Sequence, residues 1–415
     1  MLRFASMTSA TGRIPPKILC LTPHNLDAPE YGAVLRARNV FRLLSQIGKV
    51  RVVLAGACGA ETVNAKSLFG GFELVDEIRF QPSPRRSIAS HLRYEFDGRF
   101  LDTEKVQASA KDRNRLQSLM AAYDLVWIHS LRVANGFGIF RWPRSVLDID
   151  DVPSSFHRTN LAHSVKIGDR FRNYRRMTRW RRREKNLLDR FDAVCVCSEP
   201  DRRELGGSDR IFMVPNGFDA PKKIPLRQPA TPPRIGFVGT FRYSPNCDGI
   251  RWFLKCVWPL ILRTMPQTRL RVAGDGSEDV VGKTHPNVEA LGWIADVESE
   301  MATWSLAVVP VFVGGGTRIK IAEAFGRKCP VVSTTLGAYG YDVADGRELL
   351  LADSAGDFAV GCLRILTNPA DGQAMAENAW RKFLENWTWN SSANRIAGVV
   401  ESILRRTAQP ACRKL

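Results

Sequence analysis

Two series of strand-like and helix-like runs follow one another along the chain, and a proline-rich segment separates them. The first series begins at Lys17 and the second at Arg234. Between them lies PKKIPLRQPATPPR, in which five of fourteen residues are proline. Proline fixes φ and lacks an amide donor, so this segment can be neither a helix nor a central strand. Because short apolar runs that alternate with helical patterns are typical of helix-covered parallel sheets, the sequence predicts two α/β domains joined by a linker.

The domain organisation follows from this doubling. A chain of 415 residues is too long for one compact core. We expect two Rossmann-like, doubly wound parallel-sheet domains that face each other across a cleft, where the carboxyl ends of both sets of strands would bind ligands. The predicted ranges are a flexible tail at 1–13, an N-terminal domain at 14–210, a linker at 211–233, a C-terminal domain at 234–389, and a final helix that crosses back to the N-terminal domain before a basic tail at 390–415.

Composition excludes several classes of protein. With 44% hydrophobic and 25% charged residues, the chain is neither disordered nor collagen-like. No apolar run approaches the ~18 residues that cross a bilayer, and MLRFASMTSATGR lacks the apolar core of a secretory signal. The nine cysteines form no CxxC pair and are interpreted as reduced thiols of a cytoplasmic protein. A net charge of +18, most of it in the first half, favours anionic partners without choosing among them.

The most informative segment is VVPVFVGGGTRIKIAEAFGRKCPVVST, in which a strand runs into three glycines. Gly315 and Gly316 let a ligand approach the backbone, and Thr317 opens a helix whose first amides are unpaired. Arg318 and Lys320 place two cations in the first turn, where the helix dipole favours anions. A bound diphosphate would offset that placement, so the segment predicts an anion site.

Glu323 lies one turn beyond Lys320 on the same side of the predicted helix. Its carboxylate could accept hydrogen bonds from paired sugar hydroxyls; alternatively, the two residues form a surface ion pair. The chain has no GxxxxGK[ST], and no GxGxxG follows its first strand. These absences argue against a Walker loop and against a dinucleotide oxidoreductase.

The segment GGGTRIKIAEAFGRKCPVVST resembles the donor-site signature of family 4 retaining glycosyltransferases, which have the two-Rossmann GT-B fold. Further segments resemble that family in the same order along the chain: MVPNGFD at 213–219, FVGTFRYSPNCDGIRWF at 237–253, LRVAGDG at 270–276 and LGWIADV at 291–297. The combination is specific and covers most of the chain. The GGGTR loop is similar to that of one subgroup of the family.

The resemblance implies roles for the donor-loop residues. The family motif is Glu-x7-Glu, and its second Glu, which binds the ribose hydroxyls of the nucleotide, matches Glu323. The first Glu falls on Gly315, so that carboxylate is missing and the loop backbone must bind more of the donor sugar. The resemblance thus leaves the donor sugar and its orientation open.

The resemblance also implies roles for residues outside the loop. After the first strand of the donor domain this chain has Gly239, but Thr240 stands where relatives have Arg, and Arg242 lies nearby. Diphosphate binding is therefore assigned to Arg318, Lys320 and Arg242. The backbone around Trp293 should line the base pocket, with a core role as the alternative for this side chain.

In the first domain, YDLVWIHS resembles the strand that ends in the active-site histidine of the family, which assigns a catalytic role to His129. In relatives, the loop at Gly32 approaches the donor phosphate and the acceptor. Arg36, one turn into the following helix, would reach the same place.

Three carboxylates in LDIDDVPSSFH, those of Asp148, Asp150 and Asp151, follow the end of another strand. They could bind a metal, contact the acceptor, or cap a helix and stay solvated. GT-B enzymes as a rule need no metal, and no DxD-type context occurs here, so no metal site is predicted.

The segment from Lys166 to Arg190 carries eleven Lys or Arg against three acids, a net +8. Apolar residues recur in it near helical spacing, so we predict a helix that packs an apolar face on its domain and exposes a basic one. The basic face is either merely solvated or attached to anionic lipid, to which each cation near the surface adds about 1 kcal/mol. No zinc finger, RRM or helix-turn-helix signature points to nucleic acid.

These features predict a retaining glycosyltransferase of hexosyltransferase type, cytoplasmic and either free or peripheral at the inner face of the membrane. It would move a sugar from a nucleotide-sugar to a hydroxyl of a glycan or lipid-linked acceptor. A role in bacterial polysaccharide or envelope glycan synthesis is implied by resemblance only. The nucleotide-sugar is a substrate, so no cofactor is predicted. The alternatives are a nucleotide-sugar epimerase of GT-B fold and a non-catalytic basic adaptor that binds membrane or nucleic acid.

Overall fold

The computed structural model describes residues 14–27, 32–56, 69–83, 87–103, 105–282 and 285–408. The predicted tail at 1–13 and the basic end of the chain after 408 lie outside these ranges.

The strands of the described residues are short, and the central strands of each sheet are largely buried. They are β1 (Lys17–Thr22), β2 (Lys49–Gly56), β3 (Glu73–Arg79), β4 (Gln81–Pro82), β5 (Val106–Gln107), β6 (Leu125–His129), β7 (Ser145–Ile149), β8 (Ala193–Val196), β9 (Ile211–Met213), β10 (Arg234–Val238), β11 (Arg269–Ala273), β12 (Val288–Gly292), β13 (Leu306–Val309), β14 (Val331–Ser333) and β15 (Leu350–Leu351).

The helices alternate with the strands along the chain. They are α1 (Gly32–Ser45), α2 (Ile88–Phe96), α3 (Ala110–Ala121), α4 (Leu131–Gly136), α5 (Pro153–His163), α6 (Ile167–Glu184), α7 (Leu187–Arg190), α8 (Glu199–Glu204), α9 (Ser244–Trp252), which continues through a π-helical turn (Phe253–Val257) into α10 (Trp258–Thr264), α11 (Ser277–Val281), α12 (Val297–Ala302), α13 (Ile319–Gly326), α14 (Ala355–Thr367), α15 (Pro369–Asn386), and, after a 3₁₀ turn (Asn390–Ser392), α16 (Ala393–Ala408). Among the described helices, none is both long and apolar enough to traverse a bilayer.

Two parallel sheets organise these elements. The first has the strand order β3-β2-β1-β6-β7-β8-β9, the second has the order β12-β11-β10-β13-β14-β15, and β4 pairs with β5 in a separate antiparallel ladder. Strands β6, β7 and β8 are buried at every residue, which explains their nearly continuous apolar sequences. The predicted class of two doubly wound domains is confirmed.

The strand order of each sheet reverses at one place, which marks where a ligand crevice forms. In the first sheet the reversal lies between β1 and β6, and in the second between β10 and β13. Ligands of open α/β sheets bind outside the carboxyl ends of the strands at such points. His129 at the end of β6 and Gly239 directly after β10 therefore mark the two halves of a site.

The boundaries of the first domain differ in part from those predicted. The predicted linker begins at residue 211, but β9 pairs in parallel with β8 and completes the first sheet. At the other end of the chain, Ile396, Val399 and Ile403 of α16 pack in one cluster with Ile18 and Trp127 of the first sheet.

The predicted packing of the basic helix is wrong for much of α6. Phe171 and Tyr174 were expected on a buried apolar face, but their exposed fractions are 62% and 53%. Arg179 and Arg183 are instead buried. The helix turns part of its basic face inward and part of its apolar face outward.

The reason for this reversal lies in the partners that α2 and its following loop provide. Arg179 bonds Glu95 at 2.7 Å, and Arg183 bonds Asp102 at 3.1 Å. Both guanidinium groups stack over the ring of Tyr94, at 4.1 and 4.8 Å from its centroid. Paired and stacked arginines can be buried at low cost, which periodicity of hydrophobic residues alone does not reveal.

The contact between β10 and the core gives a test of the packing. A β-carbon built on Gly236 would lie 1.9 Å from the indole of Trp304, which is fully buried. Gly236→Ala should therefore displace Trp304 and lower the melting temperature by about 3–10 °C, because overpacking costs on the order of 1–3 kcal/mol.

Gly356→Ala in α14 is the matched control, because its added β-carbon would have nothing within 4 Å and alanine favours a helix. Calorimetric melting compares the two variants. Equal melting temperatures for both would show that β10 does not pack on Trp304 as described.

Candidate functional site

The glycine loop after β13 adopts a backbone that its glycines permit. Gly314 and Gly316 have φ values of +138° and +60°, which L side chains rarely adopt. Arg318 is the extended N-cap residue of α13, and it makes no side-chain capping hydrogen bond. The first turn of α13 thus keeps amides that a side chain does not cap, the arrangement suited to an anion.

Lys320 lies directly beside this helix start and next to the turn that follows β10. Its Nζ donates to Asn246 Oδ1 at 2.8 Å and lies 4.2 Å from the ring centroid of Phe237. A β-carbon built on Gly239 would lie 3.0 Å from the same Nζ. Desolvation, followed by repulsion from Arg318, lowers the pKa of Lys320 to about 7. An anion bound beside Lys320 would raise its pKa again, favour the protonated form and be held strongly by it.

Asn246 holds Lys320 in register with the glycine turn. It lies on α9, and its Nδ2 donates to the carbonyl of Thr240 at 2.8 Å. Its Oδ1 is thereby turned to the lysine ammonium. The turn at Gly239, Asn246 and Lys320 form one cradle at the carboxyl end of β10.

Arg318 is buried in the loop it belongs to, yet part of its guanidinium has no partner. Its Nη1 donates to the carbonyls of Gly315 and Gly316, whereas Nε and Nη2 have no hydrogen-bond partner in the described part of the chain. Thr317 Oγ1 is likewise buried without one. A buried donor left unsatisfied costs about 1–3 kcal/mol, so these atoms point to a ligand at the loop.

The loop faces the gap between the domains rather than bulk solvent. The amide of Gly314 donates to Thr159 Oγ1 of α5 at 3.1 Å, and that hydroxyl donates back to the Gly314 carbonyl at 3.2 Å. Gly32 at the start of α1 lies opposite Ile319, whose Cδ1 would be 3.5 Å from an added β-carbon. The starts of α1 and α13 therefore meet across the cleft, with Gly32 on one side and the donor loop on the other.

His129 occupies the matching position in the first sheet. It is the last residue of β6, and its Nδ1 lies 3.2 Å from Asp148 Oδ2. Its second ring nitrogen makes no hydrogen bond within the described ranges, and the ring of His24 lies 5.5 Å away, centroid to centroid. Asp148 thus fixes the orientation of the His129 ring at the mouth of the cleft.

Arg36 differs from its predicted role. We expected it to reach the donor phosphate, but it is fully buried and pairs with Asp148 at 2.5 Å. Its Nη1 also donates to Val214 O and Asn216 Oδ1, both at 2.9 Å. Burial alone would raise the pKa of Asp148, but Arg36 and His129 hold it at about 2. Arg36 therefore supports His129 through Asp148 and does not face the cleft.

The other two carboxylates of the predicted acidic cluster have different surroundings. Asp150 accepts hydrogen bonds from Asn216 Nδ2 at 2.9 Å and from the Cys197 thiol at 3.2 Å. Asp151 makes no hydrogen bond or ion pair in the described part of the chain and stays open to the cleft. Desolvation and the charge of Asp150 raise its pKa to about 6, against the attraction of Arg318. No group of three or more metal-ligating side chains occurs among the described residues.

The remaining predicted donor-site residues are Glu323, which is paired with a neighbour, and Arg242 and Trp293, which are exposed. Glu323 accepts from Arg327 at 3.1 Å, one turn along α13. The side chain of Arg242 is 84% exposed and pairs with Asp275 at 2.6 Å, whereas Arg318 is buried and Lys320 is half-buried. Trp293 is 71% exposed, which excludes the core role considered for it.

Several residues of this arrangement were not predicted from the sequence. They are His24, Thr159, Asn246 and, as an unpaired cleft carboxylate, Asp151. The position of His24 just after β1, at the sheet reversal, was the signal that could have identified it. Asn246 and Thr159 are ordinary helix residues. The contacts of Asn246 depend on how α9 packs against the start of α13, and those of Thr159 depend on how the two domains meet.

The raised pKa of Asp151 gives a test that does not depend on activity. Its folded pKa of about 6 lies above the ordinary 3.8, so the ionised carboxylate disfavours the folded state above pH 6. Asp151→Asn should raise the melting temperature at pH 8, and the gain should shrink as the pH falls below 6 and the wild-type carboxyl protonates. Melting curves between pH 4 and 8 measure this, with Asp189→Asn on the exposed side of α7 as the control. A loss of stability at pH 8 would mean that attraction to Arg318 outweighs desolvation and Asp150.

Part of the chain matches a known protein family. Residues 232–368, which include β10 to α14, match the family model described as glycosyl transferases group 1. The chain is 22% identical over 224 residues to an uncharacterized 44.6 kDa protein in the cps region of Klebsiella pneumoniae, which covers 48% of this chain and 56% of that protein. It is 25% identical over 243 residues to glycogen synthase of Mycobacterium tuberculosis, which covers 54% of this chain and 57% of the synthase. The chain thus spans little more than half the length of these curated relatives.

Solved structures match over nearly the whole chain. Sucrose-phosphate synthase from Thermosynechococcus elongatus has a TM-score of 0.68 at 17% identity, covering 94% of this chain and all of that one. Anabaena HepE in complex with UDP-glucose has a TM-score of 0.61 at 17% identity, with 93% and 100% covered. WaaG, a glycosyltransferase involved in lipopolysaccharide biosynthesis, has a TM-score of 0.60 at 16% identity, with 92% and 99% covered. The chain therefore has the GT-B fold, and its C-terminal domain carries the match to glycosyl transferases group 1.

Proposed function

We propose that this protein is a retaining glycosyltransferase of hexosyltransferase type that uses a nucleoside-diphosphate sugar. The observation that carries the proposal is the position of Lys320, whose Nζ lies beside Gly239, bonds Asn246, and sits at the start of α13 within the interdomain cleft. A desolvated ammonium and a helix N-terminus at one point make a site for a doubly charged leaving group.

The names of similar proteins agree with this substrate class. HepE was solved with UDP and with UDP-glucose, and a TarM mutant with UDP and a GlcNAc-glycerol. WaaG acts in lipopolysaccharide synthesis, and the Klebsiella relative lies in a cps region. We therefore propose a glycan or lipid-linked hydroxyl acceptor in bacterial polysaccharide synthesis.

Charge on the leaving group is what the site must stabilise. When the bond from the anomeric carbon to the β-phosphate oxygen breaks, its electron pair stays with the nucleoside diphosphate and the sugar becomes oxocarbenium-like. Lys320 and the amides of the first turn of α13 would bind the growing negative charge, and Arg318 adds its free guanidinium nitrogens.

In the retaining course that we propose, the acceptor hydroxyl attacks the face from which the diphosphate leaves. A bond forms between the acceptor oxygen and the anomeric carbon, and the hydroxyl proton passes to the leaving phosphate. His129, held by Asp148, would orient the sugar rather than act as the nucleophile. The nucleotide-sugar is itself the substrate, and the proposal includes no cofactor or metal.

The nucleoside part of the donor would extend along α13. Glu323 would bind the ribose hydroxyls with the carboxylate that Arg327 orients, and the backbone at Trp293 would line the base. Thr240 offers its carbonyl to Asn246 and so supports the phosphate side.

A panel of nucleotide-sugars tests the proposal. We expect wild-type protein to hydrolyse or transfer at least one donor and to be stabilised against melting by the corresponding nucleoside diphosphate. Lys320→Met should weaken diphosphate binding at least tenfold, because a charge-assisted contact is lost. Lys255→Met, the same change at an exposed lysine of the same domain, is the control.

The pH dependence of binding follows from the lowered pKa of Lys320. Because that pKa is about 7, the Lys320 side chain is largely a neutral amine at pH 8.5. Binding of a diphosphate at that pH requires the amine to take up a proton. Affinity should therefore fall as the pH rises above 7 in wild type and change less in Lys320→Met. Binding of no nucleotide by the wild type, or equal affinity in both lysine variants, would refute the proposed site.

We also propose that the enzyme works in the cytoplasm at the inner face of a membrane. Supporting this is the outer α2–α6 surface, which exposes apolar side chains among arginines. Ile88, Leu92 and Phe96 recur at one-turn spacing on α2 with exposed fractions of 84%, 59% and 69%. Phe171 of α6 is also exposed, and it lines a groove together with Tyr94 of α2. A groove of about 420 Å³ between the two helices is lined by arginines, among them Arg176. Anionic lipid matches both the charge and the apolar side chains.

Vesicle sedimentation tests this surface. Wild type should bind vesicles that contain phosphatidylglycerol more strongly than pure phosphatidylcholine, and salt should weaken that binding. Phe96→Ser with Phe171→Ser should lower the partition at least tenfold, because each buried aromatic contributes about 1.5–3 kcal/mol. Leu384→Ser, an exposed change on α15, is the control. Equal partition of the double variant and wild type would exclude this surface.

A further inference from the structure

We propose that the Asp151 carboxylate, which belongs to the N-terminal domain, binds hydroxyls of the donor sugar in place of the carboxylate that position 315 lacks. The inference rests on the proposed glycosyltransferase function and names a sugar-binding residue for it. It assigns to the facing domain a contact that the family motif places on the donor loop itself.

The position of Asp151 relative to Gly315 carries the inference. A β-carbon built on Gly315 would lie 3.3 Å from Asp151 Cβ, 3.4 Å from its Cγ and 3.5 Å from its Oδ1. The carboxylate thus occupies the space into which a side chain at 315 would begin to extend. Gly316 lies as close, since its β-carbon would be 2.5 Å from Asp151 Oδ1. Because residues 315 and 316 are glycines, there is room beside them for the carboxylate of Asp151 from the other domain.

The hydrogen bonds of the three neighbouring carboxylates distinguish Asp151 from the others. Asp148 is saturated by Arg36 and His129, and Asp150 accepts from Asn216. Asp151 has no hydrogen bond or ion pair in the described ranges and remains open to the cleft. Its acceptor atoms are therefore available to a ligand that enters between the domains.

Arg318 supplies an independent observation at the same place. Its side chain is more than nine-tenths buried, and its Nε and Nη2 have no partner among the described residues. Nη2 would lie 2.5 Å from a β-carbon on Gly314, and the Tyr243 hydroxyl would lie 3.2 Å from that same atom. The loop is thus flanked by a free carboxylate on one side and by free donors on the other.

Sugar hydroxyls suit this combination of groups. Each hydroxyl donates one hydrogen bond and accepts others, so it can donate to Asp151 and accept from Arg318 or Tyr243. A second phosphate would be repelled by Asp151, and an apolar ligand would leave all three groups unsatisfied. The site is complete only when α5 and the donor loop touch, as the two Thr159–Gly314 hydrogen bonds show them doing. Closure of the cleft and binding of the sugar are therefore coupled.

Exchanging the carboxylate between the two domains tests the inference. Asp151→Gly removes the group and opens space, and Gly315→Glu returns a carboxylate at the family position. Gly315 has no positive φ, so its backbone accepts a side chain. Gly315→Glu alone should be impaired, because the new side chain meets Asp151 at close range with like charge. The double variant should be at least tenfold more active than Asp151→Gly.

The readouts separate sugar binding from nucleotide binding. With the donor that the wild type turns over, Asp151→Asn should lower kcat/KM tenfold to a hundredfold, the usual loss for a charge-assisted hydrogen bond. Calorimetry with the free nucleoside diphosphate should show affinity within twofold of wild type. Asp189→Asn serves as the matched control, and melting curves establish that each variant is folded. Should a variant at 151 melt early, Asp151→Ser replaces it.

Three results would overturn the inference. The first is an Asp151→Asn protein that turns over the donor as the wild type does. The second is a double variant no more active than Asp151→Gly, which indicates that the carboxylate serves only at its own position. The third is an equal loss of affinity for nucleotide-sugar and free nucleoside diphosphate. That result would indicate that Asp151 stabilises the contact between the domains rather than binding the sugar. Failure of the proposed function itself would be seen separately, as a wild type that binds no nucleotide.

Discussion

A lysine ammonium partly shielded from water at the start of one helix is the interaction on which the proposed donor site of the C-terminal domain depends. Lys320 is surrounded by the ring of Phe237, the turn at Gly239 and the amide of Asn246. Keeping a charge there costs free energy, and the lowered pKa reports that cost. The same desolvation makes the site attractive to an anion, because Coulomb attraction is strong where water is excluded. The C-terminal domain thus places at the cleft a cation whose hydrogen-bond partner is a neutral amide.

The N-terminal domain contributes a buried network of charged side chains near the cleft. Arg36, Asp148 and His129 lie in a buried chain of hydrogen bonds that ends at the carboxyl edge of the first sheet. Breaking a buried charge pair of this kind typically costs 3–5 kcal/mol in proteins. In the proposed site this network would hold the imidazole of His129 in one orientation. The groups free to bind a ligand, Asp151 and part of Arg318, lie immediately outside this network, on either side of the domain boundary.

The fold could be predicted from the sequence, and so could the residues of the proposed anion site, because both produce local sequence patterns. Buried parallel strands appear as apolar runs, and a glycine loop before a helix with two cations marks an anion site within a few residues. In the structure Lys320 Nζ lies beside Gly239, and Arg318 donates to the carbonyl of Gly316, which is the arrangement that the proposed site requires. The fold comparison likewise confirms the GT-B class.

What the sequence could not specify depends on contacts between distant segments. Arg36 was placed at the phosphate because it lies one turn into α1, but its partner Asp148 is 112 residues away. Arg183 was expected on the exposed basic face of its helix, but it bonds Asp102 and stacks on the ring of Tyr94. The proposed role of Asp151 depends on its proximity to a loop in the other domain. Pairing across the chain, unlike periodicity, leaves no short-range signal.

The most direct measurement is a crystal structure of the protein with the nucleoside diphosphate that it binds. The account predicts the β-phosphate within hydrogen-bond distance of Lys320 Nζ and of the first amides of α13, in the cleft between Gly239 and Gly316. A diphosphate bound elsewhere on the surface, or one in the cleft with Lys320 still paired only to Asn246, would contradict it.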